Sequence, residues 1–271
     1  MKKKVEKDQL LLEVLEGLYP DSSGRTLKNW LQWKRVKVDG TVITIGKFQV
    51  KAGQEIEIGR VNKFEAFPIL FEDDHLVIID KPVGLLSVPL DYGNVQSAFS
   101  LLRNYYKKPL YIVHRIDRET SGVLVFAKSR AASYHLDELF MKHDLIREYQ
   151  ALVEGQMSSN KGTWKSYLKE ISNHEVISVL EEEKDSSLAI THYEVVKNSP
   201  KCTHLRLILE TGKKHQIRVH CKDAGHPVVG DVRYGSTMNP YRRLCLFAKR
   251  IAFSHPITKK TIDIESKSVP F

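Results

Sequence analysis

The chain has 271 residues, of which 42% are hydrophobic and 28% are charged, the balance of a soluble globular protein with one large domain or one medium and one small domain. The formal net charge of +9 favours a polyanionic partner, nucleic acid before others, although a soluble protein can be basic without binding one. No apolar run is long enough to span a bilayer and the three cysteines form no CxxC pair, so we expect a cytoplasmic protein with reduced thiols, without a membrane span, disulfide framework or zinc site.

The first part of the chain, residues 1–65, predicts a small α/β module. Apolar residues at helical spacing predict a first helix, which the segment PDSSG at 20–24 ends. The acidic residues in this first helix do not fit a signal peptide. A second amphipathic helix follows, with Leu27, Trp30 and Leu31 facing inward.

A hairpin follows the two helices. VKVDGTVITIG at 36–46 alternates on both sides of Asp39 and Gly40, which supply the residues of a tight turn, and GQEIEIG at 53–59 predicts a closing strand. The second helix also predicts an outward basic face, which is either a phosphate-binding surface or an ordinary solvated helix face. Its residues are Arg25, Lys28, Lys34 and Arg35.

The remainder, residues 66–271, predicts a larger α+β domain that begins after a linker at 60–68. Strand patterns come in runs with few helices between them, which indicates a large mixed or antiparallel β-sheet. Ser129 is a predicted N-cap of one of these helices. The predicted strands are HLVIID (75–80), YIVH (111–114), VLVFAK (123–128), REYQALVEG (147–155), ITHYEVV (190–196), HLRLILE (204–210), CLFAKRIAFSHP (245–256) and TIDIES (261–266).

The segment VHRIDRETSG at 113–122 places charged side chains between two apolar strands. Reactive groups often lie on loops that a rigid sheet positions, and an aspartate between Arg115 and Arg118 is expected to stay ionised, as a nucleophile or base must be. A salt-bridged surface turn explains the same residues and is favoured on this stretch alone, because most ion-pair networks are structural.

A second polar run, ETGKKHQIRVH at 210–220, predicts a helix that begins after a glycine. Lys213, Lys214 and His215 would then lie in its first turn, where free N–H groups and positive charge favour phosphate. Arg218 lies outside the predicted apolar face of this helix. The histidines at 215 and 220 do not have the i, i+4 spacing of a zinc pair, so the sequence predicts no metal site.

HRIDRETSGVLVFAK at 114–128 closely resembles the signature of the RluA-type pseudouridine synthases. Segments 69–89, 147–155 and 209–235 resemble the other motifs of that family, in the same order, so the resemblance covers the chain from about Ile69 to Pro256. The N-terminal module looks, more loosely, like the alpha-L RNA-binding domain that a small-subunit ribosomal protein also contains. The resemblance implies a pseudouridine synthase catalytic domain preceded by a small RNA-binding domain.

The resemblance also implies roles for individual residues. Asp117 matches the catalytic aspartate, Tyr149 the tyrosine that packs against the target uracil, and Arg218 the arginine that pairs with the catalytic carboxylate. Arg115 matches the arginine that enters the RNA stack where the target base leaves it. Lys213 stands where the family commonly has arginine, which keeps the charge and loses the planar fork.

The expected function is therefore isomerisation of specific uridines in structured RNA by a monomeric enzyme, with large-subunit ribosomal RNA as the favoured substrate. The reaction detaches a uracil, rotates it and rejoins it, so it requires a carboxylate and a closed pocket but no cofactor or metal. Transfer RNA as substrate and a non-catalytic RNA-binding protein of the same fold are the alternatives. A hydrolase with paired acids is disfavoured because the motifs offer one candidate carboxylate, Asp117.

Overall fold

The computed structural model describes residues 2–20, 22–32, 35–58, 66–89, 95–171, 174–268 and 271. The chain divides into two compact units, Met1–Pro68 and Ile69–Phe271, where the sequence analysis placed the boundary between residues 65 and 66. Most of the predicted linker, residues 60–65, lies outside the described residues. No helix in the described part of the chain is long and apolar enough to cross a membrane.

The N-terminal unit has the two predicted helices and the predicted hairpin. Strands β1, β6, β3 and β4 form an antiparallel sheet in that order, and β2 pairs with β5. Asp39 and Gly40 form the hairpin turn with positive φ of 49° and 82°, as expected of a tight two-residue turn. The elements are β1 Lys2–Lys4, β2 Gln9–Leu10, α1 Leu11–Leu18, α2 Gly24–Gln32, β3 Val36–Val38, β4 Thr41–Val42, β5 Gln49–Val50 and β6 Glu55–Ile58.

The predicted basic face of α2 is only partly present in the described residues. Lys28 is exposed, as predicted. The prediction that Arg35 points outward is wrong: its guanidinium lies 5.0 Å from the centre of the Trp30 ring, and its Nε is buried without a hydrogen-bond partner. An aromatic face attracts a cation, so Arg35 packs on Trp30 instead of entering solvent. The side chain of Arg25 and the whole of Lys34 lie outside the described residues.

The larger unit has the predicted α+β architecture with one large mixed sheet. Its described strands follow the order β13-β12-β14-β15-β11-β16-β10-β8-β7, with β17 paired to β16 and β9 to β10. These pairs are antiparallel except β10 with β16, which is parallel. The elements are β7 Ile69–Glu72, β8 Leu76–Lys81, α3 Ala98–Tyr106, β9 Tyr111–Ile112, β10 Ser121–Ala127, α4 Arg130–Lys142, β11 Ile146–Glu154, β12 Lys161–Glu170, β13 Val176–Val179, β14 Ser186–Asn198, β15 Cys202–Leu209, α5 Gln216–Asp223, β16 Leu246–Ser254 and β17 Thr261–Glu265.

Two strands of this sheet are absent from the sequence prediction. Of β12 only Leu168 is buried, so the strand lacks the alternation of apolar residues by which a strand is predicted. The neighbouring β13 has four residues, and β14 begins at Ser186, inside the segment 181–187 that reads as a charged loop. Hydrogen bonding to a neighbour, rather than local hydrophobicity, forms these strands.

The parallel contact between β10 and β16 fixes the end of the loop that carries Asp117. Gly122 lies on β10 opposite Ala248, with φ of 112°, and a Cβ there would lie 2.1 Å from the Ala248 carbonyl oxygen. Only glycine allows both this φ and this approach. After the C-terminal end of β10, helix α4 begins behind its N-cap, Ser129. The Ser129 side chain accepts a hydrogen bond from the Ala132 N–H, as the sequence predicted.

Candidate active site

A cavity of about 530 Å³ lies in the larger unit where four segments meet: the loop before β10, the end of α4, the first half of β11, and the turn that leads into α5. Lys214 is not among the residues that line it. The cavity thus collects residues that are distant in sequence and that the sequence analysis singled out separately. These are Arg115, Asp117, Tyr149, Lys213, His215 and Arg218.

The loop that carries Asp117 is fixed by the segment after β8. The Ser87 hydroxyl donates to the Ile116 carbonyl at 2.6 Å and accepts from the Ile116 N–H at 3.1 Å. The Gly84 N–H donates to the Arg118 carbonyl at 2.8 Å, and the Arg118 Nε donates back to the Gly84 carbonyl at 3.1 Å. Backbone groups on both sides of Asp117 are therefore bound, which positions its carboxylate before any ligand arrives.

Lys81, at the end of β8, also binds the backbone of these two segments. Its side chain is fully buried, and its Nζ donates to the carbonyl oxygens of Pro82, Leu85 and Arg118 at 3.1, 2.7 and 3.3 Å. Burial lowers the pKa of Lys81 to about 7, and the nearby carboxylate of Asp117 opposes that shift. The lysine thereby ties the segment after β8 to the loop of Asp117 through shared backbone acceptors.

The carboxylate of Asp117 faces two basic side chains from the α5 segment. Its Oδ2 lies 3.5 Å from the Arg218 Nη1 and 4.0 Å from the His215 Nε2. Burial raises the pKa of Asp117, and the positive charge of Arg218, followed by that of Arg115, opposes this shift. The expectation that Arg115 and Arg118 both flank the carboxylate is wrong for Arg118. The Arg118 side chain donates to the Gly84 carbonyl, and Arg218 is the arginine beside Asp117.

Arg218 is itself held by a second carboxylate that the sequence analysis missed. Its Nε and Nη2 donate to the two oxygens of Asp231 at 2.7 and 2.8 Å, in a bidentate pair buried on both sides. The ring of Tyr234 lies 5.0 Å from the guanidinium carbon. Arg218 therefore reaches Asp117 with its remaining Nη1, while Asp231 and Tyr234 fix the plane of the fork. The sequence could have pointed to Asp231, because it lies within segment 209–235, which resembles a motif of the family.

Tyr149 lies on β11 and lines the cavity beside the hydrophobic core. Burial raises the pKa of Tyr149 to about 12, with Arg147 opposing the shift and Asp117 adding to it. The phenol is therefore neutral at neutral pH and cannot serve there as a strong base. It offers the cavity a flat aromatic face and a hydroxyl group.

The turn into α5 differs from the prediction. The helix begins at Gln216, so Lys213, Lys214 and His215 precede it rather than forming its first turn. The side chain of Gln216 explains the late start: its Oε1 accepts from the Thr211 hydroxyl and from the Lys213 N–H at 2.8 and 3.0 Å. These bonds hold the turn in a non-helical shape, with His215 at a φ of 55°.

The three basic side chains of this turn have different surroundings. Lys213 is exposed and lines the cavity, whereas Lys214 pairs with the Glu170 carboxylate on β12. His215 hydrogen-bonds through Nδ1 to the Tyr234 hydroxyl at 2.7 Å, and burial lowers its pKa to about 4. His215 is thus neutral at neutral pH and belongs with the uncharged lining of the cavity rather than with a cationic phosphate site.

Within the described residues, no group of three or more His, Cys, Asp or Glu side chains is placed to hold a metal ion. Asp117, Arg218 and His215 instead lie close to one another or to other side chains of the site. The arrangement offers one partly exposed carboxylate, a fixed guanidinium beside it, and a neutral aromatic wall.

Comparison with known proteins identifies the family of the chain. The family model of the RNA pseudouridylate synthases matches residues 75–223. The chain is 33% identical over 260 residues to "Uncharacterized RNA pseudouridine synthase YhcT" of Bacillus subtilis (strain 168), covering 90% of this chain and 85% of that protein. It is 31% identical over 278 residues to "Ribosomal large subunit pseudouridine synthase D" of Escherichia coli (strain K12), covering 92% and 84%.

A solved structure supports the fold. "Human RNA Pseudouridylate Synthase Domain Containing 4" superimposes with a TM-score of 0.62 at 22% identity, over 74% of this chain and 88% of that one. The similarity to the curated relatives extends over most of both chains. The chain therefore belongs to the RluA-type RNA pseudouridine synthases, as the resemblance of its motifs indicated, and it is an isomerase that acts on RNA.

Proposed function

We propose that this enzyme isomerises uridines of large-subunit ribosomal RNA and that Asp117 is its catalytic carboxylate. The observation that carries the proposal is that Asp117, Tyr149 and Arg218 meet in one cavity although they lie far apart in sequence. The choice of RNA rests on relatives named ribosomal large subunit pseudouridine synthase D, 31% identical over most of the chain.

The geometry supports a specific division of labour. Whether the carboxylate attacks the ribose, attacks the uracil ring or removes a ribose proton, Asp117 acts in its ionised form. Arg218 stabilises that form from 3.5 Å, and Asp231 keeps Arg218 in place. Tyr149 provides the face against which the detached uracil packs, and its raised pKa keeps it from competing as an anion.

Arg115 has the position of a residue that acts on the RNA rather than on the carboxylate. It precedes Asp117 by two residues, its side chain is exposed, and it lines the cavity. A uridine must leave its stack to enter the cavity, and a side chain that fills the vacated space offsets part of that cost. We assign this task to Arg115, with the exposed Lys213 contributing positive charge nearby; the charge of Lys214 is paired with Glu170.

The N-terminal unit completes the proposal as an RNA-binding domain. Its core, built on residues such as Leu11, Leu27 and Val36, involves only residues of that unit, and Lys28 is exposed on α2. None of the proposed catalytic residues lies in it. Its role is to add phosphate contacts, which strengthen binding and make it more dependent on salt.

The test is conversion of ribosomal RNA from cells that lack this gene. The wild-type protein should add pseudouridine, detected by a chemical tag specific for it, and Asp117→Asn should bind the same RNA and add none. Transfer RNA from the same cells is the second arm, and conversion of that RNA alone would replace the proposed substrate. A wild-type protein that converts neither RNA, or an Asp117→Asn variant with more than a few per cent of the wild-type rate, would refute the proposal.

A further inference from the structure

Arg147 is a buried cation on the wall of the active-site cavity. It lies on β11 two residues before Tyr149, and the side chains of both residues line the cavity. Arg147 is only 8% exposed. Its Nη2 donates to the Glu210 carbonyl at 2.7 Å, but its Nε is buried with no hydrogen-bond partner.

Comparison with Arg218 shows what Arg147 lacks. Arg218 pairs with the carboxylates of Asp231 and Asp117, whereas Arg147 forms no ion pair with any carboxylate in the described part of the chain. Its guanidinium carbon lies 5.6 Å from the centre of the Phe140 ring, which attracts a cation without neutralising it. Burying a charge without a counter-ion is unfavourable, so Arg147 lowers the stability of the folded protein unless an anion binds beside it.

The position of the guanidinium indicates where that anion would lie. A Cβ on Gly212 would stand 2.2 Å from the Arg147 Nη1, so the end of the arginine packs directly on the glycine backbone. Gly212 and the neighbouring Lys213 are exposed, and both line the cavity. Arg147 therefore extends toward the exposed side of the cavity, the side from which a nucleotide strand would enter.

We propose that Arg147 binds a backbone phosphate of the RNA adjacent to the target uridine. The inference rests on the proposed function in that the ligand is RNA. A phosphate matches the planar fork of a guanidinium and supplies the negative charge that no described carboxylate provides. A neutral uracil carbonyl would leave the buried charge uncompensated.

The experiment measures RNA binding rather than turnover. The probe is a stem-loop of large-subunit ribosomal RNA that the wild-type protein binds, with uncharged methylphosphonate linkages introduced one at a time around each unpaired uridine. Binding is measured for the wild type, for Arg147→Gln, and for Arg250→Gln as a matched control. Arg250 lies on the neighbouring β16, pairs with Asp263 and does not line the cavity.

One methylphosphonate position should weaken wild-type binding about ten- to a hundredfold, the range expected for losing a charge-assisted hydrogen bond. Arg147→Gln should bind unmodified RNA with a similar loss and show no further loss at that one position. Its salt slope should flatten by about 0.7 to 0.9, corresponding to one phosphate contact. Arg250→Gln should retain both the wild-type affinity and the wild-type response to the modification.

A second variant covers the case in which Arg147→Gln does not fold. Gly212→Ala keeps the arginine but places a methyl group where its Nη1 lies, so the guanidinium must move. It should lose the response to the same methylphosphonate. The proposal is overturned if every methylphosphonate that weakens wild-type binding weakens binding of Arg147→Gln equally. It is also overturned if Arg147→Gln loses no affinity for RNA with an abasic residue at the target uridine, because Arg147 would then contact the base.

The proposed function can fail independently of this inference. A wild-type protein that binds the stem-loop without isomerising any uridine refutes the proposed function, while the binding cycle for Arg147 still gives a clear result. In the converse case the RNA is fully converted, while the binding losses caused by Arg147→Gln and by each methylphosphonate simply add. That result retains the proposed function and overturns the role of Arg147.

Discussion

Replacing Asp231 by asparagine perturbs the active site without touching Asp117. The substitution keeps the size of the side chain but removes its charge and replaces one acceptor oxygen with a donor. Arg218 then retains one hydrogen bond to position 231, and its second N–H faces an NH₂ group. Arg218 is expected to shift toward Asp117, its remaining carboxylate partner at 3.5 Å.

The expected cost follows from the burial of the pair. The side chains of Arg218 and Asp231 are 6% and 1% exposed, and breaking a buried ion pair from one side costs roughly 3–5 kcal/mol. Asparagine keeps one acceptor and Asp117 remains as a counter-charge, so we expect about 3 kcal/mol, the lower end of that range. For a domain of this size the melting temperature should fall by about 6 to 12 °C.

The matched control is Asp263→Asn. Asp263 forms a bidentate pair with the Arg250 Nε and Nη2 at 2.6 and 2.7 Å, the same geometry as the buried pair. Its side chain is 48% exposed and that of Arg250 is 26% exposed, so solvent screening limits the loss to no more than about 1 kcal/mol. The two variants therefore separate burial from hydrogen-bond geometry.

Urea unfolding gives the free energy of unfolding of each variant, and single-turnover rates at a temperature where both are folded report on the site. Asp231→Asn should lose turnover about tenfold or more, because the charge-assisted support of Asp117 changes, whereas Asp263→Asn should keep the wild-type rate. Equal losses of stability in the two variants, or an unchanged rate in folded Asp231→Asn, would show that the buried pair does not hold Arg218 for catalysis.

Four further predictions follow from the same geometry. Burial raises the pKa of Asp117, and the proposed mechanism needs its ionised form, so the rate should fall on acidification with a midpoint above the usual aspartate value of about 3.9. A midpoint at or below that value contradicts the proposed role of the buried carboxylate. Arg115→Ala should slow conversion of a folded stem-loop more than that of an unstructured oligomer, whereas Arg218→Ala should slow conversion of both. The measurement is the single-turnover rate. The two roles are assigned wrongly if Arg115→Ala is equally slow on both RNAs while Arg218→Ala regains its rate on the oligomer. A chain that begins at Phe67 should fold, retain chemistry and bind RNA less tightly with a flatter salt slope, since the core of the N-terminal unit involves only its own residues; unchanged affinity in a filter-binding titration would give that unit another partner. Activity should survive chelation while the RNA stays folded, and loss that zinc but not magnesium or a polyamine restores would establish a metal requirement.

The parts of the fold that the sequence predicts are those with local causes. Ser129 caps α4 and the Asp39-Gly40 turn closes its hairpin because each is determined by a few adjacent residues. The loop of Asp117 was predicted for the same reason, since a polar run between two apolar strands indicates a connection. The polar β12 gave no comparable signal, because pairing with β14 rather than its own composition forms it.

The missed parts of the site depend on contacts between distant segments. Asp231 could have been proposed from its place in the matched segment, but its two hydrogen bonds to Arg218 depend on how α5 and the following turn pack. Arg147 likewise lies in a matched segment, 147–155, but its contact with Gly212 joins residues on different elements and could not be predicted from the sequence. The helix start at Gln216 was misplaced because a side chain, rather than the backbone pattern, sets it.

The surroundings of Asp117 explain why one carboxylate can serve the reaction. At neutral pH burial keeps Tyr149 neutral, with a pKa of about 12, and His215 neutral, with a pKa of about 4, so neither is a strong proton acceptor there. Asp231 is buried behind Arg218 and does not line the cavity, and both of its oxygens accept from Arg218. Among the described residues that line the cavity, Asp117 is the carboxylate left with exposed surface. These surroundings support the proposal that Asp117 performs the attack or the proton removal, and under that proposal its protonation sets the acid limit of the rate.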